Sequence, residues 1–382
     1  MVPARLPLIG KLWLVTTYPA VDQVLKNDQQ FCRDPKNAGK TYRWMLMFQL
    51  LLPGIFRRLS QNMIGMDEPD HRRLRSLVDQ AFQRQSIGAL QPRIEKLVDD
   101  QLETVAQEAS RDGGEVDLIE HLARPVPLAV ICELLGLPAE DRPKFKQWFS
   151  AFANIKSLWG MSRVVPGLRK TMKYLSRQFE EVKEQPREGL MTALVEAEHA
   201  GDQLSADELL SMVMLLLLAG HETTVHLLSN SILTVLQLPD VRQTMLDDPA
   251  KGDAIVEEML RYNSPAQFAK PRFVTEDMEL LGQPLRRGEV VMPVLACANY
   301  DPDRFDEPEQ FIIDRENNYH LGFGAGPHVC LGLKLARAET RIVLQRLFER
   351  WPELQPAFDL AAPDWSKRPG MRSLNTLMVQ CG

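Results

Sequence analysis

Several features that define other protein classes are scarce or missing in this sequence. The 382 residues include only five cysteines, which are widely spaced and form no Cys-x-x-Cys pair. This pattern argues against a disulfide scaffold and a zinc-binding framework, and it indicates a reducing compartment. The cysteines are Cys32, Cys132, Cys297, Cys330 and Cys381.

An excess of positive charge is also missing, since the formal net charge is −6. That balance argues against a dedicated nucleic-acid binder. The longest strongly apolar run, residues 209–220, is too short to span a bilayer, and residues 1–10 lack the apolar core of a secretory signal. We therefore predict a soluble, cytoplasmic protein with no membrane span and no nucleic-acid partner.

The hydrophobic content is 45%, which is ample for a large core, and no linker, repeat or low-complexity tract divides the chain. Most of residues 88–185 follow a helical pattern of apolar residues, whereas residues 273–293 alternate between short strands and turns. We predict a single domain over residues 1–382, mainly α-helical with a small β-rich lobe.

A glycine-rich loop at residues 323–332 presents one cysteine close to a helix. Its sequence is Phe-Gly-Ala-Gly-Pro-His-Val-Cys-Leu-Gly, and a helical pattern runs from Leu331 to about Phe348. The unpaired amides at a helix N-terminus favour a thiolate at Cys330. A thiolate in a loop with little side-chain bulk suits a large flat metal cofactor. The alternative is an incidental cysteine beside a turn.

A second unusual stretch lies inside the long helix predicted from Ser205 to about Val235, where Ser205 and Glu208 form a capping box. Its apolar interior is interrupted by Gly220, Glu222 and Thr223. Glycine costs about 1 kcal/mol in a helix interior, and a buried carboxylate needs partners. Such a local conflict is typical of a functional site. The alternative is a kinked core helix whose threonines bond to the preceding turn.

These motifs carry a resemblance to a known family. The loop is similar at every fixed position to the cytochrome P450 cysteine signature, Phe-Gly-x-Gly-x-His-x-Cys-x-Gly. Residues 219–224, Ala-Gly-His-Glu-Thr-Thr, resemble the oxygen-binding motif of that family. The pair Glu258 and Arg261 resembles its structural Glu-x-x-Arg pair, with Arg315 as the expected third partner. The resemblance runs from about Leu12 to Val379.

The resemblance implies the cytochrome P450 fold, with haem b held between the long central helix and the cysteine loop and its helix. It also implies that Cys330 is the iron ligand and that His71, Arg75, Arg272 and His328 contact the haem propionates. Without the resemblance, His71 and Arg75 would be a solvated basic face. The full set of implied haem-binding residues is His71, Arg75, Ala219, Gly220, Arg272, Phe323, Gly324, His328, Cys330 and Gly332.

The implied activity is monooxygenation of a hydrophobic small molecule by O2, with Glu222 and Thr223 delivering protons during oxygen activation. Because the chain ends soon after the haem helix, electrons are expected from a separate ferredoxin and an NAD(P)H-dependent ferredoxin reductase. Basic residues near the cysteine are either a dock for an acidic ferredoxin or ordinary solvated charges. They are Arg72, Arg73, Lys334, Arg337 and Arg341.

Other interpretations stay open on the residues alone. The apolar stretch 42–56 is a buried helix, the roof of a substrate pocket or a patch that touches a membrane. A peroxide-driven or isomerase-like haem-thiolate enzyme is disfavoured by the acid–threonine pair at Glu222 and Thr223. A haem-thiolate sensor without turnover and a haem-free helical binding protein are the rivals from other classes.

Overall fold

The computed structural model describes residues 1–6, 10–40, 62–84, 87–153, 160–199 and 205–381. The chain divides into two compact units. Unit 1 comprises Met1–Ser76 and Glu257–Leu333, and unit 2 comprises Leu77–Val256 and Lys334–Gly382. The apolar stretch 42–56 lies outside the described residues, so its three interpretations stay open.

Helices provide most of the regular structure, as the apolar periodicity predicts. The central helix begins one residue after Ser205, and the helix that follows the cysteine loop begins at Leu333 rather than Leu331. The helices of the described chain are α1 Tyr18–Lys26, α2 Asp70–Arg84, α3 Ile87–Arg111, α4 Pro125–Leu135, α5 Arg142–Ala153, α6 Gly160–Glu184, α7 Leu190–His199, α8 Ala206–Gln237, α9 Pro239–Asp247, α10 Gly252–Tyr262, α11 Leu295–Ala298 and α12 Leu333–Arg350.

The strands are short and form small sheets within each unit. In unit 1 a five-stranded sheet has the order β1-β2-β8-β5-β3, and β6 pairs with β7; in unit 2 a three-stranded sheet has the order β4-β10-β9. The sequence did not predict β1, because this strand is mostly exposed. An exposed strand lacks the alternation of apolar and polar residues that is typical of a half-buried strand. The strands are β1 Val2–Leu6, β2 Gly10–Val15, β3 Phe31–Cys32, β4 Glu115–Asp117, β5 Arg272–Val274, β6 Met278–Leu280, β7 Gln283–Leu285, β8 Val290–Pro293, β9 Gln355–Pro356 and β10 Met378–Gln380.

The core of unit 1 forms between α1 and the five-stranded sheet. Helix α1 buries Ala20, Val21, Val24 and Leu25, whose spacing of three and four residues places them on one face. This face packs in one apolar cluster with Phe31 and other sheet residues. The end of α1 is thereby held firmly next to the cysteine loop, as described below.

The core of unit 2 includes α8, which is buried along most of its length. Ser205 caps it with the predicted capping box, since its hydroxyl accepts from the Glu208 amide at 3.2 Å and the Glu208 carboxylate accepts from the Ser205 amide at 2.8 Å. By length and composition α8 could cross a membrane, but 67% of its most apolar window is buried inside the protein. Burial of this kind is typical of the core helix of a soluble protein.

A buried ion pair supports the backbone of unit 1 ahead of the cysteine loop. Glu258 and Arg261 are fully buried, and two hydrogen bonds of 2.7 and 2.9 Å join them. Arg315 donates to the same carboxylate at 3.1 Å, which confirms the predicted third partner. Arg261 also donates to the Asn299 carbonyl at 3.0 Å, and the Asn299 side chain accepts from the Leu321 amide at 2.7 Å. The network therefore fixes the chain two residues before the loop begins.

One buried carboxyl group in α12 stands apart from every predicted role. Glu339 is 3% exposed, and its Oε2 has no hydrogen-bond partner among the described residues. Burial without a cation raises the pKa of Glu339 well above its ordinary value. The side chain is therefore protonated in the folded protein under conditions where the unfolded chain has already lost the proton.

This shift predicts that Glu339 destabilises the fold as pH rises. Above the unfolded pKa the unfolded state binds fewer protons than the folded state, so the unfolding free energy falls by up to about 1.4 kcal/mol per pH unit until the folded pKa is reached. Glu339→Gln should remove this slope, which urea unfolding at a series of pH values would measure. Glu349→Gln, at an exposed site in the same helix, is the matched control. Equal slopes in the wild type and Glu339→Gln would contradict the prediction.

Candidate functional site

The cysteine loop is closed by backbone geometry in which two glycines are essential. Gly326 has φ of +70°, and a Cβ at this position would lie 2.5 Å from the Leu25 carbonyl oxygen at the end of α1. Gly324 also has φ of +70°, a region that side chains disfavour. The Cys330 amide donates to the Phe323 carbonyl at 3.0 Å. This bond folds the loop back on itself and places Cys330 three residues before α12.

One side of this loop is open. Residues 322–333 are all half-buried, including Cys330. A Cβ built on Gly324 or Gly332 would meet no described atom within 4 Å. The loop of unit 1 therefore offers a face without side-chain bulk, which has the room that a large flat ligand needs.

Two residues of α2 adjoin the loop. The ring centroids of His71 and His328 are 3.9 Å apart, and the Arg75 guanidinium donates to the Val329 carbonyl at 2.7 Å. His71 Nδ1 lies 3.3 Å from Glu68 Oε1, whereas His71 Nε2 is buried without a partner among the described residues. The spacing of four residues places both side chains on one face of α2, as the sequence predicts, and this face adjoins the cysteine loop.

Arg272 contributes further buried donors from β5. The residue is 0% exposed, and Nη1 donates to the Phe31 carbonyl at 3.2 Å. Its Nε and Nη2 have no acceptor among the described residues, and the same is true of Nε of Arg33. The sequence did not predict Arg33 as a site residue, because no local pattern marks it. Its position as a buried donor depends on residues far away in the chain. Buried donors without acceptors are costly and indicate a ligand that accepts hydrogen bonds.

The electrostatics of this region point to an anion. Burial and then the charge of Arg33 lower the pKa of His328, and burial lowers the pKa of His71. Burial and the charge of Arg272 lower the pKa of Arg33 to about 9. The nearby carboxylate of Asp67 already accepts from the Arg33 and Asp34 amides at 2.7 and 2.9 Å. The cluster therefore combines excess positive charge with donors that have no acceptor among the described residues. Bound carboxylates would balance the charge and accept hydrogen bonds from these donors.

These observations fit haem b, which the sequence analysis predicts. The two propionates of this cofactor supply the acceptors that Arg272 lacks. Their negative charge also favours a protonated His71, which can then donate from Nε2. The flat ring suits the open side of the loop at Gly324 and Gly332, and the Cys330 sulfur is a ligand type that binds haem iron. The predicted residues of unit 1 therefore form one consistent group.

The other predicted residues lie on α8 in unit 2. Leu215, Leu216, Leu218, Ala219, Gly220, Glu222 and Thr223 are half-buried, whereas most of the helix is fully buried. They form a partly open stripe, since residues three and four apart share a helix face. The Thr223 hydroxyl donates to the Ala219 carbonyl at 2.6 Å, and that of Thr224 donates to the Gly220 carbonyl at 2.7 Å. A Cβ at Gly220 would meet only Ile131 among described neighbours, at an ordinary 3.6 Å.

Glu222 has a partner that sequence analysis did not identify. Arg368 donates to Glu222 Oε2 at 2.8 Å, and ring nitrogens of His221 and His226 each lie 3.8 Å from this carboxylate. Burial opposes ionisation, but the hydrogen bond from Arg368 outweighs it together with the charge that the histidines carry when they are protonated at acidic pH, so the pKa of Glu222 is lowered. The His221 Nε2 lies 3.2 Å from the Arg124 carbonyl oxygen.

Comparison with known proteins identifies the family. The family model for cytochrome P450 matches residues 11–248 and 252–357. The chain is 37% identical to cytochrome P450 107B1 of Saccharopolyspora erythraea, over 97% of this chain and 89% of the relative. It is 39% identical to the vitamin D(3) 25-hydroxylase of Pseudonocardia autotrophica, over 84% of this chain and 78% of the relative.

A solved structure supports the same assignment. The cytochrome P450 PksS of the bacillaene polyketide synthase of Bacillus subtilis 168 superposes with a TM-score of 0.88 at 33% identity, covering 100% of this chain and 93% of the other. This likeness confirms the predicted fold class. The chain belongs to the cytochrome P450 family and is a haem b-dependent monooxygenase that inserts oxygen from O2 into small molecules.

Proposed function

We propose that Cys330 is the axial ligand of the haem iron and that a cluster of buried cations holds the propionates. The observation that carries this assignment lies in unit 1. There, His71 Nε2 and two donors of Arg272, which have no partner among the described residues, adjoin a loop whose glycines leave one side open. When bound, the haem supplies the oxygen-activating chemistry. The chain supplies a sulfur ligand, positive charge for the propionates and an environment that controls protons.

In this proposal each cation has a distinct task. Arg272 and His71 donate to the propionates from buried positions, where a charge-assisted hydrogen bond is strong. Besides its predicted contact with a propionate, Arg75 holds the loop backbone beside the sulfur through the Val329 carbonyl. The ring of His328 packs against that of His71 at an interplanar angle of 40°. Phe323 accepts the hydrogen bond of the Cys330 amide and so fixes the sulfur-bearing residue in the loop.

On α8 we propose that Ala219 and Gly220 form the wall beside the haem and that Glu222 and Thr223 manage protons. Because the Thr223 hydroxyl donates a hydrogen bond to the Ala219 carbonyl, its oxygen is left as an acceptor for a hydrogen bond from water. Glu222 is half-buried and ionised, so it can accept a proton from the solvent side and pass it inward. Residues 1–382 act in this proposal as one catalytic domain.

The proposed substrates are hydrophobic small molecules such as terpenoids, fatty acids and polyketide-like compounds. The name of the vitamin D(3) 25-hydroxylase and the polyketide-synthase origin of PksS support this class. The apolar residues of the α8 stripe, Leu215, Leu216 and Leu218, also favour an apolar ligand over a polar one. We propose that the enzyme works in the cytoplasm, where NAD(P)H is available.

The test of the proposed function begins with the absorption spectrum of the dithionite-reduced protein with and without carbon monoxide. A strongly red-shifted Soret band is expected for a thiolate-ligated haem. Substrate-dependent NAD(P)H consumption with a surrogate ferredoxin and reductase, and entry of labelled oxygen from O2 into the product, should then follow. A red-shifted band without turnover by any compound of the three classes would favour a sensor, and a protein that takes up no haem would contradict the proposal.

For electron supply we propose an acidic ferredoxin reduced by an NAD(P)H-dependent reductase. Among the five basic residues expected at the dock, Arg72 pairs with Glu68 at 3.2 Å and Arg341 with Asp253 at 3.2 Å. Lys334 is exposed at the start of α12, four residues after Cys330, and Arg337 follows one turn later. Lys334 and Arg337 are the first to test because, of the five, they lie nearest to Cys330 in the sequence.

Reversing both charges, as Lys334→Glu with Arg337→Glu, should slow reduction by ferredoxin by about tenfold or more at low salt, because charge complementarity raises association rates. Stopped-flow reduction at several ionic strengths measures this effect, which should shrink as salt screens the charges. The matched control is Lys170→Glu with Lys173→Glu on α6, which changes the net charge equally at exposed positions. Equal slowing in both double variants would rule out a specific dock.

A further inference from the structure

A turn near the C-terminal end of unit 2 packs against the central helix. Trp365 and Leu374 form an antiparallel bridge, and the Ser366 amide donates to the Ser373 carbonyl at 2.8 Å. The turn that these bonds close extends from residue 365 to residue 374 and is called the 365–374 turn below. Arg368 projects from it to Glu222 on α8.

Two contacts hold the 365–374 turn on one face of α8. Arg368 Nη1 donates to Glu222 Oε2 at 2.8 Å, and the Asn230 amide donates to the Arg372 carbonyl at 2.9 Å. His226 lies between them, with Nε2 at 3.5 Å from Arg368 Nη1. Glu222, His226 and Asn230 are spaced by four residues and therefore share a helix face. The proposed acid thus lies on the face that contacts this turn.

Arg368 is the main source of positive charge at Glu222. The groups that face the carboxylate from the described elements are Arg368, His221 and His226, with Arg124 further away. Burial lowers the pKa of His226 to about 4, and burial also lowers that of His221, so both rings are neutral at pH 7. Since the histidines carry no charge, the ionised state of Glu222 depends on Arg368.

The ion pair of Arg368 and Glu222 is exposed enough for water to reach both side chains. The side chains of Arg368 and Glu222 are 22% and 17% exposed, whereas the structural pair of Arg261 and Glu258 is 0% exposed. Water can therefore replace one partner when the other moves. Gly370 has φ of +80° and allows the tight turn that brings Arg368 to α8.

We propose that Arg368 is a positioning residue that holds Glu222 as an oriented carboxylate, so that proton delivery depends on the position of the 365–374 turn. This inference rests on the proposed role of Glu222 in proton delivery. It adds a residue that lies outside the oxygen-binding motif and that links proton supply to the 365–374 turn.

The test compares Arg368→Met, which keeps the length of the side chain without its charge, with Arg368→Lys, which keeps the charge. General acid catalysis contributes about 100-fold or more, and partial loss of its control in Arg368→Met should lower product formed per NAD(P)H by about tenfold. Because the pKa of Glu222 rises when its cation is removed, the pH profile of turnover should shift to higher pH. Arg368→Lys should recover most of both properties.

Arg372→Met is the control in the same turn. Its guanidinium lies 4.3 Å from the centre of the Trp365 ring and serves the turn rather than Glu222. This variant should keep the wild-type pH profile. An infrared pH titration supplies a second readout that needs no turnover: a protonated-carboxyl band should appear at higher pH in Arg368→Met than in the wild type, and it should be lost in Arg368→Met with Glu222→Gln.

The double variant separates positioning from an independent effect. If Arg368 acts through Glu222, then Glu222→Gln with Arg368→Met should be no worse in coupling than Glu222→Gln alone. Additive losses, an unchanged pH profile in Arg368→Met or failure of the lysine variant to restore coupling would each overturn this inference. Lack of substrate-dependent turnover in the wild type would instead overturn the proposed function, and the infrared titration would still decide the interaction of Arg368 with Glu222.

Discussion

Cys330→Ser is expected to abolish the red-shifted Soret band of the reduced carbon monoxide complex and to lower turnover by more than about 100-fold. Even changes to residues that support metal ligands cost roughly 10- to 100-fold, and this change removes the proposed ligand itself. A serine hydroxyl stays protonated at neutral pH, so it cannot replace the electron donation of a thiolate. The spectrum of the reduced carbon monoxide complex and product formation per haem measure the two effects.

The matched control is Cys297→Ser, because Cys297 is exposed in α11 of the same unit. This variant should retain the red-shifted band and turnover. Urea unfolding of both variants should give similar midpoints for the apoproteins, since the Cys330 side chain is half-buried at an open loop face and contributes little to the core. A red-shifted band that survives in Cys330→Ser would show that another group is the ligand.

Glu258→Gln is expected to cost about 3 to 5 kcal/mol of unfolding free energy, a large part of the stability of a typical domain. The substitution keeps the shape of the side chain but leaves Arg261 buried without its counter-charge, and loss of one partner of a buried pair typically has this cost. Arg315 loses the same partner, whose two oxygens lie 3.1 and 3.2 Å from its Nε. A domain is stable by only about 5 to 15 kcal/mol, so this loss is severe.

The measurement is urea-induced unfolding, monitored both by circular dichroism and by tryptophan fluorescence. The adjacent Glu257→Gln is the control, because Glu257 is 30% exposed and its ion pair with His320 is of the half-exposed kind that contributes about 1 kcal/mol or less. If the two variants have equal midpoints, the buried network does not support unit 1 in the way proposed. Yield of soluble protein should fall in the same order as stability.

The two substitutions distinguish a residue that acts in haem binding and catalysis from a residue that stabilises the fold. Cys330→Ser should change the spectrum and the activity with little effect on the free energy of unfolding. Glu258→Gln should mainly lower the free energy of unfolding. The reason lies in their surroundings: Cys330 projects from a loop with an open face, and Glu258 is enclosed by two guanidinium groups and the backbone amide of Ile312. A buried charge is tolerated only while its partners remain.

Local sequence determined the parts of this protein that depend on neighbouring residues. The capping box at Ser205 and the apolar pattern after it predicted α8, and the glycines of residues 323–332 predicted the cysteine loop, where Gly326 cannot carry a Cβ. Fixed spacing placed His71 and Arg75 together in α2, since residues four apart share a helix face. The cytochrome P450 fold, the haem and the reaction class followed from such motifs.

Tertiary structure decided the contacts that join distant parts of the chain. Arg33 adds its charge to the cluster that contains His71, Arg272 and His328. Arg368 contacts Glu222, although the two residues are 146 positions apart in the sequence. No helical or strand period links such residues, because these periods reflect geometry within one element only. The unsatisfied donors of Arg272 and the raised pKa of Glu339 likewise depend on burial, which is a property of the folded chain.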